Sequence, residues 1–444
     1  MPGTDVTAES NRWRLPPLAA ECYREPRVGS LVRATYAVVL AGGRGSRLKQ
    51  LTNWRCKPAV PFGGKHRIID FALSNCINSG VRRIGVATQY RSHSLLQHLQ
   101  RGWNFLDPHL QEFLEVLPAQ QPLQTGWYGG TADAVYQNLD ILRTHAPEYV
   151  LVLAGDHVYK MDYGVMLAAH CESGADVTLA CTDVGLEEAR AFGVIGVDGD
   201  GWVTDFQEKP ASPAATPGQP DRALVSMGIY AFRAEALYGY LREDARAAES
   251  SHDFGHDVIP ALLARGGRVH AHRYAESCVN IVHGRPYWRD VGTVDAYWSA
   301  NMDLVRVEPE LNMYDQAWPI RTLEEHLPPA KFVFDSPDPR GQAWDCLVAS
   351  GCVVSGASIH RSLLFTNASV ERGSRVEDCV VLPEVAIGRG VRLRRAFVDK
   401  FTELPDGFEA GFDAAADAAR FHVTPAGVVL ITPEMLGQRV HEPG

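Results

Sequence analysis

The sequence predicts an α/β protein in which a mostly parallel sheet, covered on both faces, is followed by a parallel β-helix. Through the first three hundred residues, near-continuous apolar runs alternate with helical patterns, as they do in parallel sheets packed between helices. Beyond about residue 345, apolar side chains instead recur every six residues. A chain of 444 residues is long enough to form two or more such domains.

Apolar runs predict five strands of the sheet, at residues 35–41, 83–88, 149–154, 177–183 and 227–232. The clearest helical pattern is TADAVYQNLDILRTH, for which Thr131 is the expected N-cap. Ligands of open parallel sheets bind beyond the carboxyl ends of the strands. The segments that follow 35–41 and 149–154 are therefore the first candidates for a functional site.

In the C-terminal part, apolar residues recur every six positions in three runs, and each new run starts five residues after the last position of the run before it. The runs are Leu347, Val353, Ile359 and Phe365, then Val370, Val376 and Leu382, then Ile387 and Leu393. In a parallel β-helix each short face of a coil contributes one inward side chain, whereas a β-sandwich would show a period of two. We therefore expect a flexible tail over 1–33, a sheet domain over 34–304, a connecting segment over 305–344 and a β-helix over 345–444.

Composition excludes some partners and locations. A net charge of −10 argues against nucleic acid, which requires a basic surface. The nine cysteines include no CxxC pair, as expected for reduced thiols in a cytosol. No signal-peptide pattern and no run of about 20 apolar residues is present, so no membrane segment is expected. These features predict a soluble, cytoplasmic protein.

The segment AGGRGSRLKQLTNWRCKPAVPFGG, residues 41–64, reads as a phosphate-binding loop. It lacks the GxxxxGK[ST] pattern of a P-loop, and Leu48 replaces the third glycine of a dinucleotide-binding fingerprint. Glycines let backbone amides approach an anion, and basic side chains supply charge; here these are Gly42, Gly43, Gly45, Arg44, Arg47 and Lys57. The alternative is a tight turn with solvated basic residues.

Two aspartates and one Glu-Lys pair extend this candidate site. Asp156 in GDHVYK and Asp290 in YWRDVGT could hold magnesium beside a polyphosphate, although each could equally be a cap or an Asx-turn. In FQEKP, Glu208 could accept hydrogen bonds from sugar hydroxyls and Lys209 could hold a phosphate. An exposed salt bridge is the alternative for this pair.

With these residues in view, the chain resembles the ADP-glucose pyrophosphorylase family. The motifs AGGRGSRL, KPAVPFGGKHRIIDFALSNCINSG, WYGGTADAV, AGDHVYK, FQEKP, SSHDFGHDVIP and YWRDVGT occur in the family's order from about residue 35 onward. The resemblance implies a Rossmann-like, GT-A-like nucleotidyltransferase domain, a left-handed β-helix and a homotetramer. It also implies a Mg²⁺-dependent reaction of ATP with glucose 1-phosphate that yields ADP-glucose and pyrophosphate.

The resemblance also assigns roles to individual positions. It implies catalytic roles for Arg47, Lys57 and Asp156, and metal binding by Asp156 and Asp290. The residues implied to bind ATP are Gly42, Gly43, Gly45, Arg47, Lys57, Gln89, Gln120 and Gly130. Those implied to bind glucose 1-phosphate are Tyr128, Gly193, Glu208, Lys209 and Ser226.

Family members are activated by glycolytic intermediates and inhibited by AMP or phosphate, at a basic pocket between the domains. The residues implied to contribute here are Arg67, Arg394, Arg395 and Lys400. Basic or histidine side chains of the enteric members are replaced at Trp54, Pro61, Pro433 and Gly437, and Gly129 replaces an arginine of WYRGTAD. Because anion contacts are missing, our hypothesis is an activator smaller or less charged than a sugar bisphosphate.

Two other interpretations remain open at this point. The loop and the aspartates would also serve a sugar nucleotidyltransferase that uses UTP, GTP or dTTP. A non-catalytic regulatory subunit would keep the fold and bind effectors only. That second alternative is disfavoured because a silent subunit would be free to lose Arg47, Lys57, Asp156 and Lys209.

Overall fold

The computed structural model describes residues 26–43, 45–119, 128–279, 281–282, 284–333 and 342–438. Its main sheet has nine strands. In chain order they are β1 (Thr35–Leu40), β2 (Arg83–Thr88), β3 (Phe113–Pro118), β4 (Tyr149–Ala154), β5 (Val177–Gly185), β6 (Gly193–Val197), β7 (Val203–Glu208), β8 (Arg222–Arg233) and β9 (Val269–Arg273). Three two-stranded pairs complete the first domain: Pro61–Phe62 with His66–Arg67, Val158–Tyr159 with Trp288–Arg289, and Ile281–Val282 with Arg285–Pro286.

The strand order of the main sheet is β7-β6-β8-β4-β1-β2-β3, with β5 paired to β8 and β9 to β5. Strands β3, β2, β1 and β4 are parallel neighbours, whereas β8 runs antiparallel to β4 and β5. The chain passes from β1 to β2 on one side and later to β4 on the other. A crevice is expected beyond the carboxyl ends of β1 and β4, where the order reverses.

Helices cover the apolar strands of this sheet, and the two resulting core layers have separate sets of buried side chains. The longer α-helices are Pro26–Arg33, Ile69–Ser79, His93–Gly102, Tyr163–Ser173, Ala234–Asp244 and Val294–Asp303. The shorter ones are Thr131–Tyr136, Leu139–Thr144, Leu186–Ala189, Ile259–Ala264, Tyr274–Ser277 and Ala414–Arg420. Turns of 3₁₀-helix span Ser46–Thr52, Lys57–Ala59, Pro108–Leu110 and Glu434–Leu436, and a π-helix spans Phe254–Val258.

All five predicted strands are confirmed, but the predicted N-cap at Thr131 is wrong. Gly130 is the N-cap, and the helical stretch is divided in two around Asn138. The Thr131 hydroxyl is used elsewhere: it donates to Asp253 Oδ2 at 2.9 Å and accepts from the amide of Phe254 at 3.0 Å. A tertiary contact has therefore replaced the local cap that the sequence pattern predicts.

The C-terminal domain is built from three parallel sheets, as predicted for a β-helix. The first contains Lys331–Val333, Val353–Ser355, Ser369–Val370, Ala386–Ile387 and Glu403–Leu404. The second contains Gln342–Trp344, Ser358–His360, Arg375–Glu377, Arg392–Arg394 and Glu409–Ala410. The third contains Leu347–Val348, Leu363–Leu364, Val380–Val381, Ala396–Val398 and Val429–Ile431, with His422–Val423 antiparallel at its end.

The coils stack with a regular register. Val353 pairs with Ser369, Ser369 with Ala386 and Ala386 with Glu403, so one coil takes 16 or 17 residues. The last coil is longer, because Ala396 pairs with Val429 across an excursion that contains the helix Ala414–Arg420. The first strand of the β-helix lies within the predicted connecting segment 305–344, and the division of the chain at 304 and 345 stays a prediction.

The predicted inward ladder is confirmed at five positions and wrong at four. Leu347 packs against the cluster shared with the first domain and not inside the coil. Val353 is 38% exposed, and its neighbour Val354 points into the coil instead. Phe365 and Leu382 are buried, but in the cluster shared with the first domain and not inside the coil. The third sheet is apolar on both faces because it packs against the helix Val294–Asp303, and a six-residue count cannot distinguish the two faces.

A buried ion pair also joins the two domains. Arg55 Nη2 lies 2.9 Å from Asp399 Oδ1, and the side chains are only 2% and 3% exposed. Nearby, Trp54 Nε1 donates to Glu434 Oε1 at 2.6 Å. The stretch before Lys57 is thus fixed to the β-helix.

None of the helices in the described residues has the length and apolar character needed to cross a membrane.

Candidate active site

A cleft of about 470 Å³ opens at the carboxyl ends of β1 and β4, at the reversal of strand order. Most of the residues singled out from the sequence line it: Gly42, Gly43, Arg47, Gln89, Tyr128, Gly130, Asp156, Gly193, Glu208, Lys209, Ser226 and Asp290. Gly45 and Lys57 lie directly behind its wall. Arg44 and Gln120 lie outside the described residues.

The glycine loop packs closely on residues from two other segments. Gly45 has φ +66°, and a Cβ there would lie 2.8 Å from the Cβ of Lys57. A Cβ on Gly42 would lie 3.2 Å from the Cβ of Gln89, whereas one on Gly43 would meet open space. Glycine at 45 therefore lets the loop approach Lys57, and Gly43 leaves the backbone accessible from the cleft.

Lys57 forms salt bridges with both aspartates, Asp156 and Asp290, which are far apart along the chain. Its Nζ is 3.0 Å from Asp156 Oδ2 and 2.6 Å from Asp290 Oδ1, and its side chain is only 4% exposed. Arg47 Nη2 lies 3.2 Å from Asp290 Oδ2, but its side chain is 57% exposed. One cation is thus fixed between the carboxylates, while the other lies at the edge of the cleft.

This arrangement keeps the cluster ionised. Burial raises the pKa of Asp156, but the charges of Lys57 and His157 lower it by more, to about 2. Burial lowers the pKa of Lys57, but Asp156 and Asp290 raise it by more, so it lies above its usual value. Asp156 and Lys57 are therefore charged at neutral pH, as binding of a cation and of phosphate oxygens requires.

His157 is a member of this cluster that the sequence reasoning missed. Its Nε2 is 3.6 Å from Asp156 Oδ1 and 3.6 Å from Asp290 Oδ1. Its ring packs edge-to-face on Trp288, with centroids 5.1 Å apart. Burial lowers the pKa of His157 more than the two carboxylates raise it. The adjacency of histidine to Asp156 in GDHVYK was the available signal.

The opposite side of the cleft holds the Glu-Lys pair. Lys209 forms an ion pair with Glu208 and has φ +46°, a left-handed conformation that is uncommon for lysine. Its amide donates to the carbonyl of Phe192 at 3.0 Å. A Cβ on Gly193 would lie 3.0 Å from Glu208 Oε2. Close backbone packing therefore positions both side chains, and the side chain of Lys209 remains 62% exposed.

The loop around Asp253 closes this side and was also missed as a contributor. Asp253, Gly255, Thr131 and Tyr230 line the cleft. Asp253 Oδ1 accepts from the amides of Gly255 and His256 at 2.9 and 3.0 Å. Gly130 is required by contact, since a Cβ there would lie 2.3 Å from the carbonyl oxygen of His252. The WYGGTAD and HDFGH segments are thus bonded into one wall.

A second cavity of about 220 Å³ lies between the two domains. Of the four predicted effector residues, Arg67 and Lys400 line it and Arg394 and Arg395 do not. Arg395 instead donates to the carbonyl of Ala426 at 2.8 Å. Pro61 also lines the cavity, whereas Trp54 makes the bond to Glu434 described above.

Arg55 is a further lining residue of the second cavity, and sequence reasoning missed it. Its Nε and Nη1 have no hydrogen-bond partner within the part of the chain that the structure describes. Burial and the charges of Arg55 and Arg67 lower the pKa of Lys400 to about 8. The cavity brings cations of both domains together, and Glu324, Glu325 and Glu384 also line it. Lys65 is paired with Glu324, and Arg55 with Asp399.

Comparison with known proteins gives two family matches. The family described as nucleotidyl transferase matches residues 36–307, and the family described as GlmU-like, C-terminal hexapeptide matches residues 328–431. The second match agrees with a left-handed form of the β-helix.

Curated relatives are similar over nearly the whole chain. A glucose-1-phosphate adenylyltransferase of Nitrosospira multiformis is 61% identical over 411 residues, covering 93% of this chain and 96% of its own. The enzyme of the same name from Nitrosomonas europaea is 59% identical over 426 residues, covering 95% and 98%. That of Paramagnetospirillum magneticum is 58% identical over 411 residues, covering 92% and 96%.

Proposed function

Because the chain belongs to the glucose-1-phosphate adenylyltransferase family, we propose that it transfers the adenylyl group of ATP to α-D-glucose 1-phosphate, forming ADP-glucose and pyrophosphate for glycogen synthesis. The observation that carries this proposal is that Asp156 and Asp290, the carboxylates paired with Lys57, line the same cleft as the Glu208–Lys209 pair. A triphosphate and a sugar phosphate need two such charged regions on either side of the reacting phosphorus.

In the proposed reaction a phosphate oxygen of glucose 1-phosphate attacks the α-phosphorus of ATP in line. The bond from that phosphorus to the bridging oxygen breaks, and pyrophosphate leaves with the electron pair. The attacking oxygen is already ionised at neutral pH, so no general base is required. Positioning and charge neutralisation by Arg47, Lys57 and Lys209 then provide the catalysis.

The proposed binding roles agree with the positions of the residues that line the cleft. Gly42, Gly43 and Arg47 lie on the side of the glycine loop, where the β- and γ-phosphates of ATP would bind. Gln89 and Gly130 are the described candidates for adenine contact. The sugar phosphate would bind at Tyr128, Gly193, Glu208, Lys209 and Ser226, which line the same cleft.

The cluster also fits a divalent cation, which we propose to be Mg²⁺. One ligand atom each from Asp156, His157 and Asp290 lies within 4.8 Å of the others. Mg²⁺ in proteins takes one or two carboxylates together with substrate phosphates and water. When bound there, it would neutralise charge that develops on the leaving pyrophosphate.

The proposal is tested with the purified chain, ATP, glucose 1-phosphate and Mg²⁺, scored by pyrophosphate release. ATP should be used at least tenfold better than UTP, GTP or dTTP, as judged by kcat/KM. Faster turnover with another nucleotide would replace the proposal by the broader class of sugar nucleotidyltransferases. No turnover with any nucleotide would favour a regulatory subunit.

We further propose allosteric control through the second cavity. Its cations Arg55, Arg67 and Lys400 come from both domains, and Arg55 precedes Lys57 by two residues, so an anion bound there would act close to the catalytic cluster. The cavity supports an activator smaller or less charged than a sugar bisphosphate, and inhibition by AMP or phosphate. Strong activation by fructose 1,6-bisphosphate that is abolished in Arg67→Ala would contradict the smaller activator.

We also propose that the chain forms a homotetramer and that it acts in the cytoplasm. The eight cysteines in the described residues are free thiols, as a reducing compartment allows. Light scattering coupled to size-exclusion chromatography should give about four times the chain mass of 48.8 kDa. A monomeric species with full activity would contradict the tetramer.

Thr131→Val should raise the KM for glucose 1-phosphate about tenfold and leave that for ATP within about threefold. Loss of the hydroxyl leaves Asp253 Oδ2 and the amide of Phe254 without the bonds that join the WYGGTAD and HDFGH segments into one wall. Initial rates at varied concentrations of each substrate measure this split. Thr131→Ser keeps the hydroxyl and should behave as the parent; an equal change in both KM values would contradict a specific role.

A further inference from the structure

We propose that His157 supplies a third, imidazole ligand to the divalent cation held by Asp156 and Asp290, so that this site binds Mn²⁺ and Co²⁺ more tightly than Mg²⁺. This inference rests on the proposed function, since it concerns the same cation site.

The three ligand atoms point toward one another. His157 Nε2 faces the Oδ1 atoms of both Asp156 and Asp290, at 3.6 Å from each. Lys57 contacts Asp156 through Oδ2, and Arg47 contacts Asp290 through Oδ2. Lys57 Nζ also lies 2.6 Å from Asp290 Oδ1, so a bound cation would share that oxygen with the ammonium. One oxygen of Asp156 is therefore turned toward His157 and away from Lys57.

The spacing suits a small divalent ion. In octahedral coordination at about 2.1 Å, neighbouring ligands lie about 3.0 Å apart and opposite ligands about 4.2 Å apart. The two distances of 3.6 Å and the upper limit of 4.8 Å for the whole group are close to this range. Shifts of a few tenths of an ångström would place all three atoms on one ion.

The imidazole ring of His157 is held beside the two carboxylates. Nε2 lies 3.6 Å from each of the two carboxylates, beyond hydrogen-bond distance, and the backbone of Met227 is a hydrogen-bond partner of the ring. The side chain is only 12% exposed and lines the cleft. Packing on Trp288 fixes the plane of the ring and so the position of Nε2.

The donor set has a consequence for the choice of metal. Mg²⁺ takes oxygen ligands and keeps its waters, whereas imidazole is a common ligand of the transition metals. Affinity for a mixed nitrogen and oxygen site rises from Mn²⁺ to Co²⁺. A site made of two carboxylates alone would favour Mn²⁺ and Co²⁺ over Mg²⁺ less strongly.

The test uses Mn²⁺ as a spectroscopic probe and needs no turnover. Electron spin echo envelope modulation of Mn²⁺ bound to the full chain, with and without a non-hydrolysable ATP analogue, should show coupling to one imidazole ¹⁴N. His157→Phe retains a ring against Trp288 and should abolish that coupling. It should weaken Mn²⁺ binding at least tenfold, and Mg²⁺ binding, measured by competition, less than threefold.

Asp156→Asn is the positive control and should weaken binding of both ions, while circular dichroism and thermal melting of each variant verify the fold. Bound Mn²⁺ without nitrogen coupling in the parent protein would overturn the proposal. Mn²⁺ affinity that is unchanged in His157→Phe would also overturn it. If nitrogen coupling is found but no adenylyl transfer occurs with any nucleotide, the metal site stands and the proposed function fails.

Discussion

Asp156→Asn is expected to lower kcat by about two to three orders of magnitude while leaving the fold intact. The substitution removes one of the two carboxylates that face Lys57 and the proposed cation site. The fold should survive because Asp290 still pairs with Lys57 at 2.6 Å, so the buried ammonium keeps a counter-charge. A neutral amide of the same shape isolates the loss of charge from any change in packing.

The measurement is the rate of pyrophosphate release at saturating ATP, glucose 1-phosphate and Mg²⁺. Asp205→Asn is a matched control, because Asp205 is an exposed carboxylate on β7 that bonds Gln207 and lies outside the cleft. It should retain the parent rate. Near-normal turnover of Asp156→Asn at saturating Mg²⁺ would refute the proposed role of this carboxylate.

Asp399→Ala should reduce the free energy of unfolding by about 3–5 kcal/mol. Arg55 would remain buried between the domains without its ion-pair partner, and its Nε and Nη1 are already unpartnered in the described residues. Urea unfolding, followed by tryptophan fluorescence and by circular dichroism, measures the loss. Agreement between the two probes tests whether the domains unfold together.

Two further variants separate burial from charge. Glu409→Gln breaks the Arg392–Glu409 pair at 2.8 Å, which is about half exposed on both sides, and should cost less than about 1 kcal/mol. The double variant Arg55→Met, Asp399→Leu replaces the buried pair with apolar side chains and should recover most of the stability. If Asp399→Ala is no more harmful than Glu409→Gln, the buried pair does not hold the domains together.

Much of the site was predictable because parallel strands bring their carboxyl ends to one edge. The loop at Gly42 follows β1 and Asp156 follows β4, and these strands are neighbours in the sheet. Asp290 was a different case. The order of the main sheet does not bring it to this edge; the short pair of Val158–Tyr159 with Trp288–Arg289 does. Before the structure showed Lys57 between the two aspartates, only the family resemblance paired Asp290 with Asp156.

The residues that sequence reasoning missed share one property: their role depends on a contact between distant segments. Thr131 was assigned to a local cap, yet its hydroxyl bonds the loop of Asp253. Arg55 reads as one more basic residue of a loop until Asp399 appears beside it. Periodicity predicted the β-helix, but could not tell that Phe365 faces the first domain and not the coil.

The stacking of the coils determines where residues can be deleted from or inserted into the β-helix. Loss of one residue within a strand of a coil would turn the rest of that strand from the interior to the surface. A turn can absorb the same loss, because coils of 16 and of 17 residues keep one register. The excursion that carries the helix Ala414–Arg420 leaves the stack and returns to it before Val429. Grafted peptides and natural insertions should therefore be tolerated there, which makes this excursion the place to attach a label or a tether.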